Sequence, residues 1–278
     1  IKISGDGTID CNGGTGDFYM TKEEWRSAEN ERIRPFGILM RRCQNVTLED
    51  VTLKNSAFWM QQYLECKNLR LININVFNHA NYNNDGLDIN NCKDVIITGC
   101  RIYCSDDAIA IKSTTPKINE NIVISDCILR SHYNGFKIGT ETNGGVKNLT
   151  LTNCVIGSPG YKNHHGTNDI GFCGIALQSN DGAVIENITI SNVTIDSMMT
   201  PFFIRLQDRG RTISENYERQ SPGAMKNINI SNVIATNMTK LASSVTGIPG
   251  YYVENVKFSN IQIFSEGGGT HEDIEKPV

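Results

Sequence analysis

The sequence predicts an all-β protein that folds as a right-handed parallel β-helix, a solenoid of stacked coils. Short segments of alternating apolar and polar residues recur along the 278-residue chain, at spacings of roughly 23–28 residues with two longer intervals. No segment carries a sustained 3.6-residue helical period. Each repeat has one polar residue at the start of its first strand: Asn45, Asn68, Asp94, Asn121, Asn148, Asn187, Asn227 and Asn255.

Each repeat consists of this polar residue, a short strand, a polar turn and a second strand. A coil of this kind buries its inward face only against the coils above and below it. We therefore expect the repeated asparagines to form a stacked side-chain ladder at a turn. The longer intervals contain insertions at residues 158–171 and 208–223. Insertions in solenoids emerge as loops, often on the binding face.

Six of the nine cysteines occupy two recurring positions of the repeat. Residues at the same position stack above one another, and a buried free cysteine behaves as a small hydrophobic residue. The pattern favours two core ladders, although stacking does not exclude disulfide pairing. The two sets are Cys43, Cys66 and Cys92, and Cys100, Cys127 and Cys154.

A third strand can be aligned from coil to coil. Its inward positions are uniformly apolar, because side chains alternate across a strand. Its outward positions are mostly polar. We align Asp88, Lys137 and Arg205 in one outward column, with Lys112 and Gln178 in the next. The aligned segments are 36–40, 86–89, 108–111, 135–138, 174–177 and 203–206.

Three acidic residues, Asp85, Asp106 and Asp107, lie at the entry to two of these third strands. Asp85 is about one repeat away from the adjacent pair Asp106 and Asp107. The three carboxylates should therefore be neighbours in space, as the acid and base of a glycosidase are. Asp and Asn at strand entries also make local turns, but three in adjacent coils favour a site. Nearby Lys112 and Lys137 would suit an anionic sugar.

The net charge of −4 argues against a nucleic-acid partner, and no apolar run approaches the roughly 18 residues of a membrane span. The first residues start within the repeat pattern, so we expect that N-terminal coils are missing. We assign residues 1–265 to the β-helix domain and residues 266–278 to a tail or linker. We expect a monomer that uses no cofactor and no metal.

Several motifs resemble glycoside hydrolase family 28, the polygalacturonase and rhamnogalacturonase family, over nearly the whole chain. The early segment 5–10 and Arg34-Pro35 resemble its GxGTIDG and RP motifs. Residues 83–86 are similar to its NTDG motif and residues 106–112 to its DDxIAIK motif. Residues 139–141, followed by 144–146, resemble its GSE and GGV motifs.

This resemblance implies an inverting hydrolase of pectic substrates, secreted or periplasmic, in which Asp106 is the general acid and Asp85 and Asp107 polarise the attacking water. Two motifs depart from the family pattern. Asn134 stands where the family has the histidine of GHG, and residues 176–178 replace its RIK motif. The candidate substrate-binding residues are Asn83, Asp88, Lys112, Asn134, Lys137, Glu141, Gln178 and Arg205.

Two alternatives remain open at this stage. A polysaccharide lyase on the same fold would use calcium and a basic residue, and would form an unsaturated product. A non-catalytic carbohydrate-binding β-helix would bind sugar without turnover. The sequence also leaves the cleaved linkage, and endo or exo attack, undetermined.

Overall fold

The protein is a right-handed parallel β-helix, as the repeats predict. The computed structural model describes residues 1–26, 34–161, 170–213, 218 and 222–273. The first strands are β1 (Lys2–Ser4), β2 (Thr8–Asp10), β3 (Ile38–Arg41), β4 (Gln44–Glu49), β5 (Thr52–Lys54), β6 (Gln61–Leu64), β7 (Lys67–Ile72), β8 (Asn75–Asn78), β9 (Leu87–Asn90), β10 (Lys93–Thr98) and β11 (Arg101–Cys104). The later strands are β12 (Ile109–Ser113), β13 (Asn119–Ser125), β14 (Ile128–Ser131), β15 (Asn134–Thr142), β16 (Gly145–Gly157), β17 (Gly171–Ser179), β18 (Val184–Asp196), β19 (Met198–Leu206), β20 (Ala224–Met238), β21 (Ser244–Thr246) and β22 (Val253–Ser265).

Two parallel sheets enclose the core. One has 14 strands and contains the first and second strands of each coil, which merge into single long strands from β16 onward. The other has eight strands, in the order β21-β19-β17-β15-β12-β9-β6-β3. This eight-stranded sheet contains the predicted third strands. The space between the sheets is filled by Ile, Leu and Val side chains of successive coils, most of them fully buried.

The predicted asparagine ladder is confirmed. Asn148 donates from Nδ2 to Asn121 Oδ1 at 3.2 Å, and Asn187 donates to Asn148 at 3.1 Å. Asn227 and Asn255 continue the ladder at 3.0 and 2.8 Å. Each of these asparagines has a positive φ, between 49° and 60°. Asparagine tolerates this left-handed backbone better than most residues, so the same residue type makes the turn and links the coils.

The two cysteine ladders also form as predicted. All nine cysteines are free thiols. The Cys43 backbone N–H faces Cys66 Sγ at 3.4 Å, and that of Cys66 faces Cys92 Sγ at 3.3 Å. Cys100 and the two cysteines stacked beyond it in the second ladder are buried. The stacked thiols therefore pack as small core residues.

The third-strand alignment was incomplete in one coil and wrong in another. Strand β6 had not been identified; it pairs with β9, with Gln62 opposite Asp88. In the later coils Gln178 pairs with Arg205, and Phe203 pairs with Ala176. Arg205 therefore shares a column with Gln178, and does not share one with Lys137 as predicted. A slip of two residues leaves every side chain on its own face, so the apolar pattern could not detect it.

Within the described residues, one short α-helix lies in the first coil, between β2 and β3. Helix α1 (Lys22–Arg26) begins with a capping box: Glu24 accepts the Thr21 backbone N–H at 2.8 Å, and Thr21 Oγ1 accepts the Glu24 N–H at 3.2 Å. Two single-turn 3₁₀ helices span Gly16–Phe18 and His271–Asp273. Within the described ranges, no helix has the length and apolar character to cross a membrane.

Candidate active site

Strand pairing brings the three predicted acids together. Asp85 precedes β9, and Asp106 and Asp107 precede β12, its neighbour in the eight-stranded sheet. The Gly86 N–H donates to the Asp107 carbonyl oxygen at 2.9 Å, which fixes the two strand entries side by side. Glycine is required at position 86, because a Cβ there would lie 2.3 Å from a methyl of Ile102. The coils can then approach closely at the site.

Carboxylate oxygens of Asp85, Asp106 and Asp107 lie within 4.8 Å of one another. Asp85 and Asp107 are each 2% exposed, whereas Asp106 is partly exposed. Burial raises the pKa of Asp85 and of Asp106 well above its usual value, and the neighbouring carboxylates raise both further. The raised pKa values favour the protonated forms of Asp85 and Asp106, and Asp106 is the member of the cluster that meets solvent.

Two donors hold the Asp107 carboxylate. Lys137 Nζ lies 2.8 Å from its Oδ2, and Asn134 Nδ2 donates to its Oδ1 at 2.6 Å. Burial has the largest single effect on Lys137 and lowers its pKa, but the carboxylates of Asp107 and Asp106 together outweigh burial, so the pKa of the lysine is raised. Asn134 stands at the position of the family's histidine. Its buried side chain thus contacts Asp107, one of the catalytic candidates.

Lys112 is a buried centre of positive charge. Its Nζ lies 3.3 Å from Asp85, 3.4 Å from Asp88 and 3.4 Å from Glu141, and 3.9 Å from the ring centroid of Trp59. Burial raises the pKa of Asp88 to about 7 although Lys112 opposes that change. Burial also raises the pKa of Glu141, but Lys112 and other partners outweigh it and lower the value to about 2.

The acids line a cleft of about 910 Å³, a size suited to a small ligand. Aromatic rings form much of its wall, and rings of this kind stack on sugars. Tyr133 is 48% exposed and Trp25 is 42% exposed. The aromatic residues that line the cleft are Trp25, Phe58, Trp59, Tyr82 and Tyr133.

The structure brings most of the predicted site residues to this cleft. Besides the three acids, it is lined by Asn83, Lys112, Lys137 and Glu141. Asp88 and Asn134 lie buried directly behind it, at 0% and 1% exposure. These two side chains support the charged residues of the cleft and do not line it.

Arg205 and Gln178 do not line this cleft. Arg205 lines a second cavity of about 470 Å³ with Asn180 and Arg209, and its guanidinium lies 4.3 Å from the ring centroid of Phe203. Gln178 is 8% exposed and pairs with Arg205 on the neighbouring strand. The register error described above explains why Arg205 was expected closer to the acids.

The second insertion packs against the cleft wall. Arg209 binds the fully buried Asp181 and donates to the Thr140 carbonyl oxygen at 2.7 Å. Arg211 lies 2.8 Å from Glu141 Oε1. This insertion therefore reaches the cleft, as predicted for a solenoid loop, although residues 214–217 and 219–221 lie outside the described residues. Residues 162–169 of the first insertion also lie outside them.

Sequence reasoning missed the N-terminal wall of the cleft. Lys22 and Trp25 of α1, together with Arg34 and Tyr82, line it opposite the coils. A five-residue helix cannot show a helical period, so only the capping box at Thr21 and Glu24 could have indicated it. The RP motif had singled out Arg34 but gave no contact for it.

The chain that carries these acids matches a known family. The sequence model of glycosyl hydrolases family 28 matches residues 1–277. The chain belongs to this family. The match extends over nearly every coil, including the departures at Asn134 and at residues 176–178. It is therefore a divergent member, as the motifs implied.

Similar proteins are polygalacturonases. A probable polygalacturonase of Vitis vinifera is 22% identical over 95% of this chain and 52% of its own length. A probable exopolygalacturonase B of Aspergillus oryzae is 22% identical over 99% of this chain and 63% of its own. The chain thus spans about half to two thirds of the length of these relatives.

Solved structures agree with this assignment. A hyperthermoactive exopolygalacturonase of Thermotoga maritima has a TM-score of 0.66 and 26% identity, over 84% of this chain and 51% of its own. The polygalacturonase of Erwinia carotovora has a TM-score of 0.73 and 21% identity, over 99% of this chain and 70% of its own. At 21% identity, the similarity to the Erwinia carotovora enzyme concerns the fold alone.

Proposed function

We propose that the chain forms the catalytic coils of an inverting glycoside hydrolase that acts on pectic polysaccharide or oligosaccharide. The observation that carries this proposal is the convergence of Asp85, Asp106 and Asp107 within 4.8 Å in a cleft lined by aromatic rings. Paired carboxylates are the standard machinery of glycoside hydrolysis. Membership of family 28 supports the choice of a pectic substrate.

In this proposal Asp106 protonates the leaving glycosidic oxygen. Burial and the neighbouring carboxylates raise its pKa and so favour its protonated form, and its partial exposure lets it meet the substrate. Asp107 is the carboxylate that accepts a proton from water, and Lys137 and Asn134 hold it in place for this role. Asp85 helps Asp107 to polarise the attacking water, and Lys112 supplies positive charge beside it. The water adds to the anomeric carbon as the bond to the leaving oxygen breaks.

The short spacing of these acids bears on the stereochemistry. Most inverting enzymes hold their two carboxyl groups about 6.5–9.5 Å apart, and retaining enzymes about 5–5.5 Å. The 4.8 Å limit joins one oxygen atom of each acid and not the centres of the carboxyl groups, so it does not choose between these two ranges. We propose inversion on the resemblance to the family, and the configuration of the first product is the deciding measurement.

A uronate carboxylate of the substrate needs a cation that is not already neutralised by carboxylates of the protein. Lys112 and Lys137 are retained as candidate binding residues, but each already contacts buried carboxylates. Lys22 lines the same cleft and forms no ion pair with the other described residues. We propose Lys22 as the first contact for a uronate carboxylate. Arg205 would bind a more distant sugar in the second cavity.

The three carboxylates are also the one group within the described ranges whose donor atoms could hold a metal ion. Lys112 and Lys137 already supply positive charge beside them, so the proposal uses no metal. A calcium-dependent lyase is therefore the alternative to exclude. A pectic substrate also requires a location outside the cell membrane, so we propose a secreted or periplasmic protein.

Product analysis tests the proposed function. The protein is incubated with a panel of galacturonate and rhamnogalacturonan oligosaccharides, with and without a chelator, and the products are separated by chromatography. Saturated, shorter sugars that form equally with the chelator support hydrolysis. Ultraviolet-absorbing products that require calcium would support the lyase. Binding without any product would support a carbohydrate-binding β-helix.

A further inference from the structure

We propose that Trp25 and Arg34 are positioning residues for Asp106, and that they act through the side-chain amide of Asn83. The inference rests on the proposed role of Asp106 as the general acid. It adds a function for the N-terminal segment, which carries none of the three acids.

The hydrogen bonds of Asn83 fix the direction of its amide. Trp25 Nε1 donates to Asn83 Oδ1 at 3.1 Å, and Arg34 Nη2 donates to the same atom at 2.9 Å. Indole and guanidinium nitrogens donate and never accept. The atom that both of them face must therefore be the carbonyl oxygen. As a result the NH₂ group points the other way, with Nδ2 at 3.5 Å from Asp106 Oδ2.

Both donors are themselves held in place. The Trp25 ring stacks on Tyr82, with centroids 4.8 Å apart and planes at 6°. Arg34 also donates to the carbonyl oxygens of Ala57 and Tyr82, and lies 4.6 Å from the Phe58 ring centroid. These contacts occupy three of the five N–H donors of Arg34. Arg34 is therefore held firmly enough to orient Asn83.

The Asp106 carboxyl group has two contacts that orient it, and the Asn83 amide is the second. Asp106 Oδ1 accepts the backbone N–H of Asp107 at 3.0 Å. The proton to be donated then belongs on Oδ2, the oxygen that faces Asn83. When Oδ2 gives this proton to the leaving oxygen, it becomes negatively charged, and the Asn83 N–H can shorten its contact with it. Catalytic hydrogen bonds are often long before substrate binds.

Trp25 links this brace to substrate binding. Its ring is 42% exposed and forms part of the cleft wall. A sugar that stacks on this ring would press α1 against Tyr82. The indole N–H of Trp25 would then stay hydrogen-bonded to Asn83. The N-terminal wall of the cleft thus couples sugar binding to the orientation of the Asp106 carboxyl group.

Substrates with different leaving groups test the inference. A general acid matters for a sugar leaving group and matters little for a nitrophenol, which departs without a proton. Kinetic constants are measured on a pectic oligosaccharide and on the nitrophenyl glycoside of the sugar that the enzyme releases. Trp25→Phe keeps the stack on Tyr82 and removes the N–H donor. Asn83→Asp keeps the acceptor for Trp25 and Arg34 and removes the donor that faces Asp106.

We expect Trp25→Phe to lower kcat on the oligosaccharide about three- to tenfold, since one net hydrogen bond is lost, with less than a twofold change on the nitrophenyl glycoside. Asn83→Asp should lower kcat on the oligosaccharide at least about tenfold, within the range of general acid catalysis. Exposed Glu23 lies on the same helix, and Glu23→Gln is the matched control, which should leave both rates unchanged.

Equal losses on both substrates, or no loss on either, would overturn the inference while leaving the proposed function intact. If the wild-type protein cleaves neither substrate, the proposed function itself fails, and the two failures are thus distinguishable. Thermal melting of each variant identifies a folding defect. Should Trp25→Phe fail to fold, Asn83→Asp decides the question alone.

Discussion

Lys112 Nζ lies 3.3 Å from Asp85 Oδ2, and both side chains are almost completely buried. The same ammonium is within 3.4 Å of Asp88 and Glu141. One cation thus balances three carboxylates beneath the cleft. Its own pKa is raised well above the usual value, because these carboxylates outweigh the effect of burial. The charge state of the whole site depends on this residue.

Replacement of Lys112 by methionine should destabilise the protein. Removing one partner of a buried ion pair typically costs about 3–5 kcal/mol, because an uncompensated charge remains. The loss in the free energy of unfolding should be smaller at pH 5 than at pH 8, since the carboxylates can then be protonated. Urea denaturation at both pH values measures it. An equal loss at the two pH values would contradict this account of the charge balance.

The pH dependence of stability should change when Asp88 is replaced by asparagine. The folded pKa of Asp88 is about 7, against a usual value of 3.8. The folded state therefore binds more protons than the unfolded state between these values, so stability falls as pH rises towards 7. Asp88→Asn removes this contribution. Melting temperatures from pH 4 to 8 should decline less steeply in the variant, and an identical slope would show that Asp88 does not titrate in this range.

The general outline of this site could be predicted from the sequence, because repeats fix which residues stack. Asp85 and Asp107 converge because each stands at a strand entry in adjacent coils. Arg205 was misplaced because a slip of two residues keeps the same apolar pattern. Trp25 was missed because its contacts arise between a five-residue helix and coils far away in the chain. Position within a repeat is encoded locally, whereas such contacts depend on the packed tertiary structure.

Replacements of Lys22 and of Arg205 should have different effects on substrate use. Lys22→Gln should raise KM for galacturonate oligomers about two- to fivefold, the range of an exposed ion pair, and leave neutral glycosides unaffected. Arg205→Ala should weaken turnover of long oligomers and spare the shortest cleaved ones, because Arg205 lines the second cavity. Lys147→Gln, on a different sheet, is the control. Uniform losses across chain lengths would remove Arg205 from substrate binding.

The first product should have the inverted anomeric configuration. Proton NMR during the first minutes of hydrolysis, before mutarotation, distinguishes the two anomers. Inversion means that water attacks directly, with Asp85 and Asp107 polarising it and Asp107 accepting its proton. A retained configuration would instead make one of these two carboxylates a nucleophile, which their short distance from Asp106 would permit.

The most direct test of the account is the hydrolysis rate of Asp106→Asn on a pectic oligosaccharide that the wild-type protein cleaves. Asparagine has the same shape but carries no acidic proton, and general acid catalysis typically contributes 10²–10⁴-fold. We expect kcat to fall by at least about a hundredfold, with the melting temperature close to that of the wild type. A variant that folds and retains more than about a tenth of the wild-type rate would show that Asp106 is not the acid.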